Sequence, residues 1–377
     1  MRSPHVACAR APPSLQRRGA GARVGRMPSP SLGSATVPWP LTPLPVVAAP
    51  MAGGPSTPQL AAAVSTAGGL GFLAAGYRSA AEVAAQVRAT RALTAAPFGV
   101  NVFVPNVEGD AGRQRAQRTA VDAYIDLLSA EAMRLGVELP QPRWDDTDDW
   151  DEKIEVLLDD PVAVVSFTFG VPDPQVVHRL HEVGSCVAVT VTCEAEADAA
   201  QQAGADALIV QGFEAGGHRG THDVASTPNS LDHIELLRLL AGAEVPLIAA
   251  GGVTTPGDTR RALGLGAVAV QAGTAYLLAD EAGTNQWYRQ ALRDGDRGTG
   301  ITRAFSGRPA RGLRNRFMDT FDDLAPAVFP AVDQLTKPLR ARAGQLGDVE
   351  GLSLWAGAGW RAASDTAAAD ITFRLAG

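Results

Sequence analysis

The chain has 377 residues, of which 46% are hydrophobic, and its formal net charge is −7. A chain of this length buries a large core in one big domain or two ordinary ones, and its hydrophobic fraction excludes extensive disorder. The negative charge argues against a nucleic-acid partner. The three cysteines have neither a disulfide nor a metal-site pattern, and no apolar run reaches the roughly 18 residues of a membrane helix. We therefore expect a cytoplasmic protein without a membrane or nucleic-acid partner.

The amino-terminal stretch differs in composition from the rest of the chain. Its first 26 residues include six arginines, and the first acidic residue is Glu82. An Arg-rich, acid-poor leader is also typical of transit peptides. We interpret residues 1–36 as a disordered leader or a start-site artefact, with Met27 as the expected start of translation.

Short apolar runs alternate with helical patterns from about residue 45 to residue 278. The runs are rich in Val, Ile, Leu and Ala without polar alternation, as expected for strands buried on both faces of a parallel sheet. They cover residues 45–51, 70–75, 98–104, 163–169, 185–191, 207–211, 246–250 and 267–272. Eight such units over roughly 235 residues predict a (β/α)8 TIM barrel, which usually takes about 250. An open, doubly wound sheet is the alternative.

The segments between these runs carry helix signals. Residues 79–93 and 194–203 have apolar residues at helical spacing and predict amphipathic outer helices. The pairs Thr57-Pro58 and Thr255-Pro256 each place a capping hydroxyl before a first-turn proline, and Asp258 completes a spacing like that of a capping box. Helices are therefore expected to begin at both pairs.

Two stretches interrupt the alternation. Residues 106–160, after the third strand, are too long for one crossover connection; they predict an insertion with helices at 118–135 and 151–158, interpreted as a lid at the barrel mouth. The barrel is expected to span residues 37–283. Residues 284–377 then form a helical extension, with helices at 284–293 and 322–343, that packs against the barrel and covers the site.

Glycine-rich segments follow the last two predicted strands: Gly251-Gly252 after the seventh and Gly273-Thr274 after the eighth. TIM barrels frequently bind phosphate at these two loops. Glycine lets backbone N–H groups approach the phosphate oxygens, and the N-terminus of the next helix favours negative charge. The pattern predicts a phosphate site in which Thr274 adds a hydroxyl. Tight turns that bind no ligand are the alternative.

Two polar residues near strand ends are candidates for a site. His218 lies between Gly217 and Gly220 in the loop after the sixth strand, and its imidazole suits proton transfer near neutral pH. A purely structural histidine is the alternative. Asn101 interrupts the apolar third strand and must find partners when it is buried. Those partners are either the edge of a heteroaromatic ring or a neighbouring strand end.

Most of the remaining histidines, arginines and lysines are interpreted as residues without a role in the site. Lysine occurs only at positions 153 and 337, and this scarcity is interpreted as coding bias without a functional role. Arg308 and Arg311 are candidates for pairing with an anionic substrate, although surface arginines are the favoured interpretation. The residues expected on the surface or without function are His178, His181, His233, Lys153 and Lys337.

Several segments resemble the motifs of nitronate monooxygenases, formerly called 2-nitropropane dioxygenases. They are Pro50-Met51-Ala52-Gly53-Gly54, Gly68-Gly69-Leu70-Gly71, Gly99-Val100-Asn101, Glu214-Ala215-Gly216-Gly217-His218-Arg219-Gly220, Ala249-Ala250-Gly251-Gly252, Gln271-Ala272-Gly273-Thr274 and Ser306-Gly307-Arg308-Pro309-Ala310-Arg311-Gly312. The resemblance runs from about residue 45 to residue 359. In this order, the motifs are specific for the superfamily of FMN-binding barrels and less specific for the reaction.

The resemblance implies an FMN-dependent enzyme without a metal. Such an enzyme oxidises an alkyl nitronate with O2 to a carbonyl compound and nitrite, and His218 matches the base of the family. The flavin is expected across the barrel mouth and its phosphate on the two glycine-rich loops. The residues expected to bind the cofactor are Pro50, Met51, Ala52, Asn101, Gln211, Gly216, Gly217, Gly251, Gly252, Gln271, Ala272, Gly273 and Thr274.

Two other functions remain open at this point. An NAD(P)H-dependent FMN reductase acting on quinones or enoyl thioesters is one, because enoyl reductases of this superfamily share the Glu-Ala-Gly-Gly-His motif. A non-redox barrel that binds a phosphorylated ligand is the other. The physiological nitronate is not determined, and the oligomeric state is left open, with a homodimer as one candidate.

Overall fold

The computed structural model describes residues 41–105 and 111–377, so the expected leader lies outside the described residues. In chain order, the strands are β1 (Val46–Ala48), β2 (Gly71–Ala74), β3 (Phe98–Phe103), β4 (Val164–Thr168), β5 (Cys186–Val191), β6 (Ala207–Gln211), β7 (Gly217–His218), β8 (Leu247–Ala250), β9 (Ala267–Ala272), β10 (Thr299–Thr302) and β11 (Ala310–Leu313). All eight predicted strands are present. The first ends early, at Ala48, and is followed closely by Pro50, which has no N–H to donate to a ladder.

Most of the α-helices of the described chain lie between these strands. They are α1 (Pro58–Thr66), α2 (Ala80–Leu93), α3 (Ala111–Leu135), α4 (Trp150–Asp159), α5 (Pro174–Glu182), α6 (Glu194–Gln202), α7 (His233–Leu239), α8 (Pro256–Gly264), α9 (Gln286–Asp294), α10 (Arg316–Phe321), α11 (Ala331–Leu346) and α12 (Ala368–Ala376). The predicted helix starts are confirmed. Thr57 accepts a hydrogen bond from Leu60 N–H, and Thr255 forms a reciprocal capping box with Asp258.

Eight parallel strands form a closed barrel. The strand order is β2-β3-β4-β5-β6-β8-β9-β1. The ring closes between β1 and β2, where Val47 and Leu70 form a parallel bridge. Two hydrogen bonds of 2.9 Å support the closure, from Ala48 N–H to Leu70 O and from Leu70 N–H to Val46 O. The TIM barrel prediction is confirmed, and the open-sheet alternative is wrong.

Two helices, α3 and α4, lie between β3 and β4, where the insertion was predicted. Helix α4 packs between α2 and α5 and thus occupies an ordinary place in the outer ring of helices. Helix α3 is the added element, and it packs against α11 rather than over the barrel. Tyr124 and Leu128 of α3 share an apolar core with Val332 and Leu335 of α11. The described residues of α3 therefore brace the carboxyl-terminal extension and do not line the barrel mouth.

The carboxyl-terminal extension contains strands as well as helices. Strands β10 and β11 are antiparallel and continue onto β7, where Ala310 pairs with His218. The predicted helix 322–343 begins later than expected, because α11 starts at Ala331, after Pro326 and Pro330. Helix α12 packs against α1 and α8 and completes the outer ring. The extension thus both closes the barrel's helical layer and reaches its mouth.

Candidate active site

A cavity of about 660 Å³ lies at the carboxyl ends of the barrel strands, between the barrel and the extension. All of the residues that were predicted to form the site line this cavity. They are Pro50, Met51, Ala52, Asn101, Gln211, Gly216, Gly217, His218, Gly251, Gly252, Gln271, Ala272, Gly273 and Thr274. The carboxyl ends of parallel strands meet at one end of a barrel, which is why residues far apart in the chain converge here.

The two glycine-rich loops present free backbone donors to the cavity wall. Gly251 and Gly252 have φ angles of 93° and 70°, a region that other residues rarely adopt. Among the described residues, the N–H groups of Gly251, Gly252, Gly273 and Thr274 donate to no protein acceptor. The hydroxyl oxygen of Thr274 accepts a 3.0 Å hydrogen bond from Gly357 N–H, which leaves the hydroxyl hydrogen for a ligand. This donor set fits a phosphate group.

Two amide side chains in the same wall have capacity for a ligand. Asn101 Oδ1 accepts hydrogen bonds from the hydroxyls of Ser166 (2.8 Å) and Thr168 (3.0 Å), so Asn101 does bond to the neighbouring strand β4. Its Nδ2 group donates to no described residue. Gln271 Oε1 is buried and has no hydrogen-bond partner among the described residues. A donor and an acceptor of this kind suit the polar edge of a flat heteroaromatic ring.

Gln211 serves mainly to hold the histidine loop. Its Nε2 group donates to His218 O at 3.0 Å, and its Oε1 atom accepts from Gly220 N–H at 2.8 Å. Both ends of the amide are therefore engaged by residues 217–220 of the chain itself. Gln211 lines the cavity, but its primary effect is to fix the backbone that carries His218.

The His218 imidazole stands in an aromatic wall of the cavity. Its ring lies 5.6 Å from the rings of Phe169 and Trp355 and 6.1 Å from that of Phe329. Its Nε2 atom lies 2.8 Å from Ser306 Oγ. Burial away from water, together with the nearby guanidinium groups of Arg308 and Arg340, lowers the pKa of His218 to about 3. The imidazole is therefore neutral at physiological pH.

Three interpretations from the sequence are wrong. Arg308 and Arg311 are buried rather than on the surface, and neither lines the cavity. Arg308 stacks 4.0 Å from the Phe169 ring and donates to Thr221 O, whereas Arg311 donates to Phe213 O. His233 is buried too, with Nδ1 at 3.5 Å from the carboxylate of Glu214. Polar partners and aromatic faces make the burial of the two arginines tolerable. Neither ring nitrogen of His233 makes a hydrogen bond to a described residue.

Known proteins resemble the chain over nearly its whole described length. Residues 39–376 match the family described as nitronate monooxygenase. A nitronate monooxygenase from Pseudomonas aeruginosa is 40% identical over 339 residues, which are 87% of this chain and 93% of that protein. A solved nitroalkane oxidase from Streptomyces ansochromogenes is 46% identical with a TM-score of 0.83, and the match covers 89% of this chain and 95% of that chain.

The chain belongs to the nitronate monooxygenase family. Nitronate monooxygenases are flavin-dependent oxidoreductases, in agreement with the donor set of the cavity. A solved structure of FabK from Thermotoga maritima is also similar, at 27% identity and a TM-score of 0.66 over 88% of this chain and 91% of that chain. Within the described ranges, no helix has the length and apolar character needed to cross a bilayer.

Three residues of the cavity wall were not predicted from the sequence of this nitronate monooxygenase family member. The carboxyl-terminal extension contributes all three. Asp333, Lys337 and Arg340 of α11 line the cavity, and Arg340 pairs with Asp333 at 2.6 Å. Their spacing of four and three residues places them on one helix face, which is the signal that could have found them. Lys337 thus lies at the site, and Lys153 is fully buried in an ion pair with Asp148. Coding bias therefore does not explain the position of either lysine in the structure.

Proposed function

We propose that this protein oxidises alkyl nitronates with O2 to a carbonyl compound and nitrite, with FMN as its cofactor. One observation carries the proposal: a neutral imidazole and a set of free phosphate donors line the same cavity of a nitronate monooxygenase fold. The oxidation of nitronates is also what the name of the Pseudomonas relative describes.

The cavity offers a distinct group for each part of FMN. The backbone N–H groups of Gly251, Gly252 and Gly273, with the Thr274 hydroxyl, would hold the phosphate. Asn101 Nδ2 and Gln271 Oε1 would meet the polar edge of the ring system. When bound, FMN supplies the redox chemistry by taking electrons from the nitronate and passing them to O2.

His218 is proposed to remove the α-proton of a neutral nitroalkane, which converts it to the nitronate. A base must be unprotonated, and the low pKa of His218 meets this condition. The same low pKa makes the imidazole of the ligand-free protein a weak proton acceptor, since a general base works best with a pKa near the operating pH. The alternative, in which a protonated imidazole binds the nitronate oxygens, requires a charge that the burial of His218 disfavours. The aromatic rings of Phe169, Phe329 and Trp355 pack around the imidazole and reduce its contact with water on their sides.

Base function also requires a particular tautomer of His218. Nδ1 makes no hydrogen bond to a described residue, so it is the nitrogen available to a substrate. The hydrogen must then reside on Nε2 and be donated to Ser306 Oγ, whose own hydrogen can reach Arg308 O at 3.4 Å. Ser306 thereby positions the imidazole and leaves Nδ1 as the acceptor.

The test is an aerobic assay of the purified, FMN-bound protein with ethylnitronate and with propionate 3-nitronate. We expect nitrite release and oxygen consumption that depend on the protein, with free FMN as the control. Absence of nitrite with both substrates contradicts the proposal.

The Glu-Ala-Gly-Gly-His motif at residues 214–218 keeps a second candidate function open, the NAD(P)H-dependent FMN reductase. Anaerobic mixing of the FMN-bound protein with NADH or NADPH separates the two functions. A nitronate monooxygenase is expected to show no rapid loss of flavin absorbance after this mixing. Rapid bleaching of the flavin instead supports the reductase.

A further inference from the structure

Tyr77, in the loop between β2 and α2, has an unusual backbone that the insertion holds in place. Its φ angle is 67°, a conformation that is costly for a residue with a bulky side chain. Its N–H group donates to Asp148 Oδ1 at 2.9 Å. Asp148 in turn lies 2.8 Å from the ammonium group of Lys153, which is fully buried. A buried ion pair therefore anchors the loop that presents Tyr77.

The Tyr77 side chain forms part of the cavity wall. Its ring lies 5.5 Å from that of Phe103 and 6.4 Å from that of Phe329, the residue that also neighbours His218. Tyr77 lines both the main cavity and an adjoining one of about 280 Å³. It therefore belongs to the same aromatic wall as the imidazole.

The Tyr77 hydroxyl has no partner in the described part of the chain, although buried hydroxyls normally have one. Its Oη atom is buried and makes no hydrogen bond to any described residue. By contrast, the hydroxyl of Tyr288, another residue of the cavity wall, donates to Trp355 O. An unpartnered buried hydroxyl destabilises the ligand-free protein, which is a typical cost of a group reserved for a ligand.

The charges around this hydroxyl favour an anion. Asp333 and Arg340 neutralise each other in their 2.6 Å pair, and Asp148 is paired with Lys153. Lys337 lines the same wall and forms no ion pair within residues 41–105 and 111–377. Arg308 also acts on the Tyr77 hydroxyl and adds a further positive charge, so the local balance is positive. Burial, and next the carboxylate of Asp333, raise the pKa of Tyr77 well above its ordinary value, so the hydroxyl remains a donor.

From this geometry we infer that Tyr77 binds the substrate directly, by donating a hydrogen bond from its hydroxyl to an oxygen of the nitronate. The inference rests on the proposed function and adds a substrate-binding residue to it. Together with His218 in the same wall, Tyr77 would hold the nitronate group from its oxygen side while the imidazole faces the α-carbon. Neither the resemblance to known motifs nor the glycine-rich loops point to this residue.

The test compares Tyr77→Phe with the parent protein, both bound to FMN and assayed with ethylnitronate. The variant keeps the ring and loses only the hydroxyl. We expect kcat/KM for ethylnitronate to fall about 10- to 100-fold, the range that one hydrogen bond to a charged group supplies. We expect unchanged FMN affinity. The melting temperature without substrate should equal or exceed that of the parent, because an unpartnered buried hydroxyl is removed.

Tyr124→Phe is the matched control. The Tyr124 hydroxyl is also buried, but it donates to Ala304 O at 2.7 Å, away from the cavity. This variant should lower the melting temperature and leave kcat/KM unchanged. If Tyr77→Phe keeps the parent's kcat/KM, or loses activity only in step with a lowered melting temperature, the inference is wrong. If the parent itself releases no nitrite, the proposed function fails and the inference falls with it.

Discussion

His218 Nε2 lies 2.8 Å from Ser306 Oγ, although 88 positions separate the two residues in the chain. His218 belongs to the barrel loop that follows β6, whereas Ser306 belongs to the extension between β10 and β11. The backbone reinforces this link, because His218 pairs with Ala310 in a small antiparallel sheet. The position of the proposed base is therefore set jointly by the barrel and the extension.

Replacing His218 by Asn should abolish most of the turnover of neutral nitroethane. General base catalysis typically contributes about 10²- to 10⁴-fold, so a loss of that order in kcat is expected. FMN affinity should not change, and preformed ethylnitronate should be affected much less. His178→Asn is the control, since His178 is well exposed on α5. Equal nitroethane turnover by His218→Asn and the parent contradicts a base role.

Replacing Ser306 by Ala should produce a smaller defect of the same kind. The hydrogen bond that holds Nε2–H is lost, so the imidazole samples the unproductive tautomer and other orientations. About a tenfold loss of kcat for nitroethane is expected, within the 1.4 kcal/mol that one such hydrogen bond supplies. Ser129→Ala, on α3, is the control. A loss for ethylnitronate as large as that for nitroethane would point to a structural defect instead.

Replacing Gly252 by Ala should weaken FMN binding about tenfold or more. Its φ angle of 70° is unfavourable for alanine, and the added Cβ would lie 3.1 Å from Glu214 Oε1, so the Glu214 carboxylate must also move. Gly266→Ala is the matched control, because Gly266 has a φ of 93° with open space around its Cβ position, in the turn before β9. Both variants carry backbone strain. Only Gly252→Ala should change the FMN dissociation constant measured by fluorescence quenching.

The burial of His218 predicts a pH dependence of stability in the ligand-free protein. Its pKa is about 3 in the folded state and about 6.5 in the unfolded chain. Between these values the unfolded chain binds more protons, so the contribution of His218 to the free energy of unfolding falls as pH decreases from about 6.5 towards 3. The difference from His218→Asn isolates this contribution from other groups. Parallel pH profiles of the two proteins in urea unfolding would contradict a neutral, buried imidazole.

Much of the barrel and the backbone of the site could be predicted from local patterns. The eight apolar runs indicate strands buried on both faces, and Val164 and Val165 are indeed both buried, although they point to opposite sides of β4. Residues at the carboxyl ends of such strands must meet. For that reason Asn101, Gly251 and Thr274 could be placed in one site without knowledge of any long-range contact.

The carboxyl-terminal extension could not be predicted from local patterns in the same way. Residues 322–343 have a helical pattern, but α11 begins only at Ala331, after Pro326 and Pro330, and it packs against the inserted helix α3. Arg308 and His233 are polar in sequence and buried in the fold. Lys337 gives no local indication that it faces the cavity.

The amino-acid sequence by itself determined the closed barrel, the glycine-rich loops and the place of His218 at a strand end, because burial periodicity and backbone freedom are properties of neighbouring residues. The tertiary structure alone decided that His218 is neutral and held by Ser306, and that Tyr77 and Lys337 stand in the same wall. The physical reason is that desolvation, charge proximity and hydrogen-bond partners depend on segments that approach only when the extension folds over the barrel.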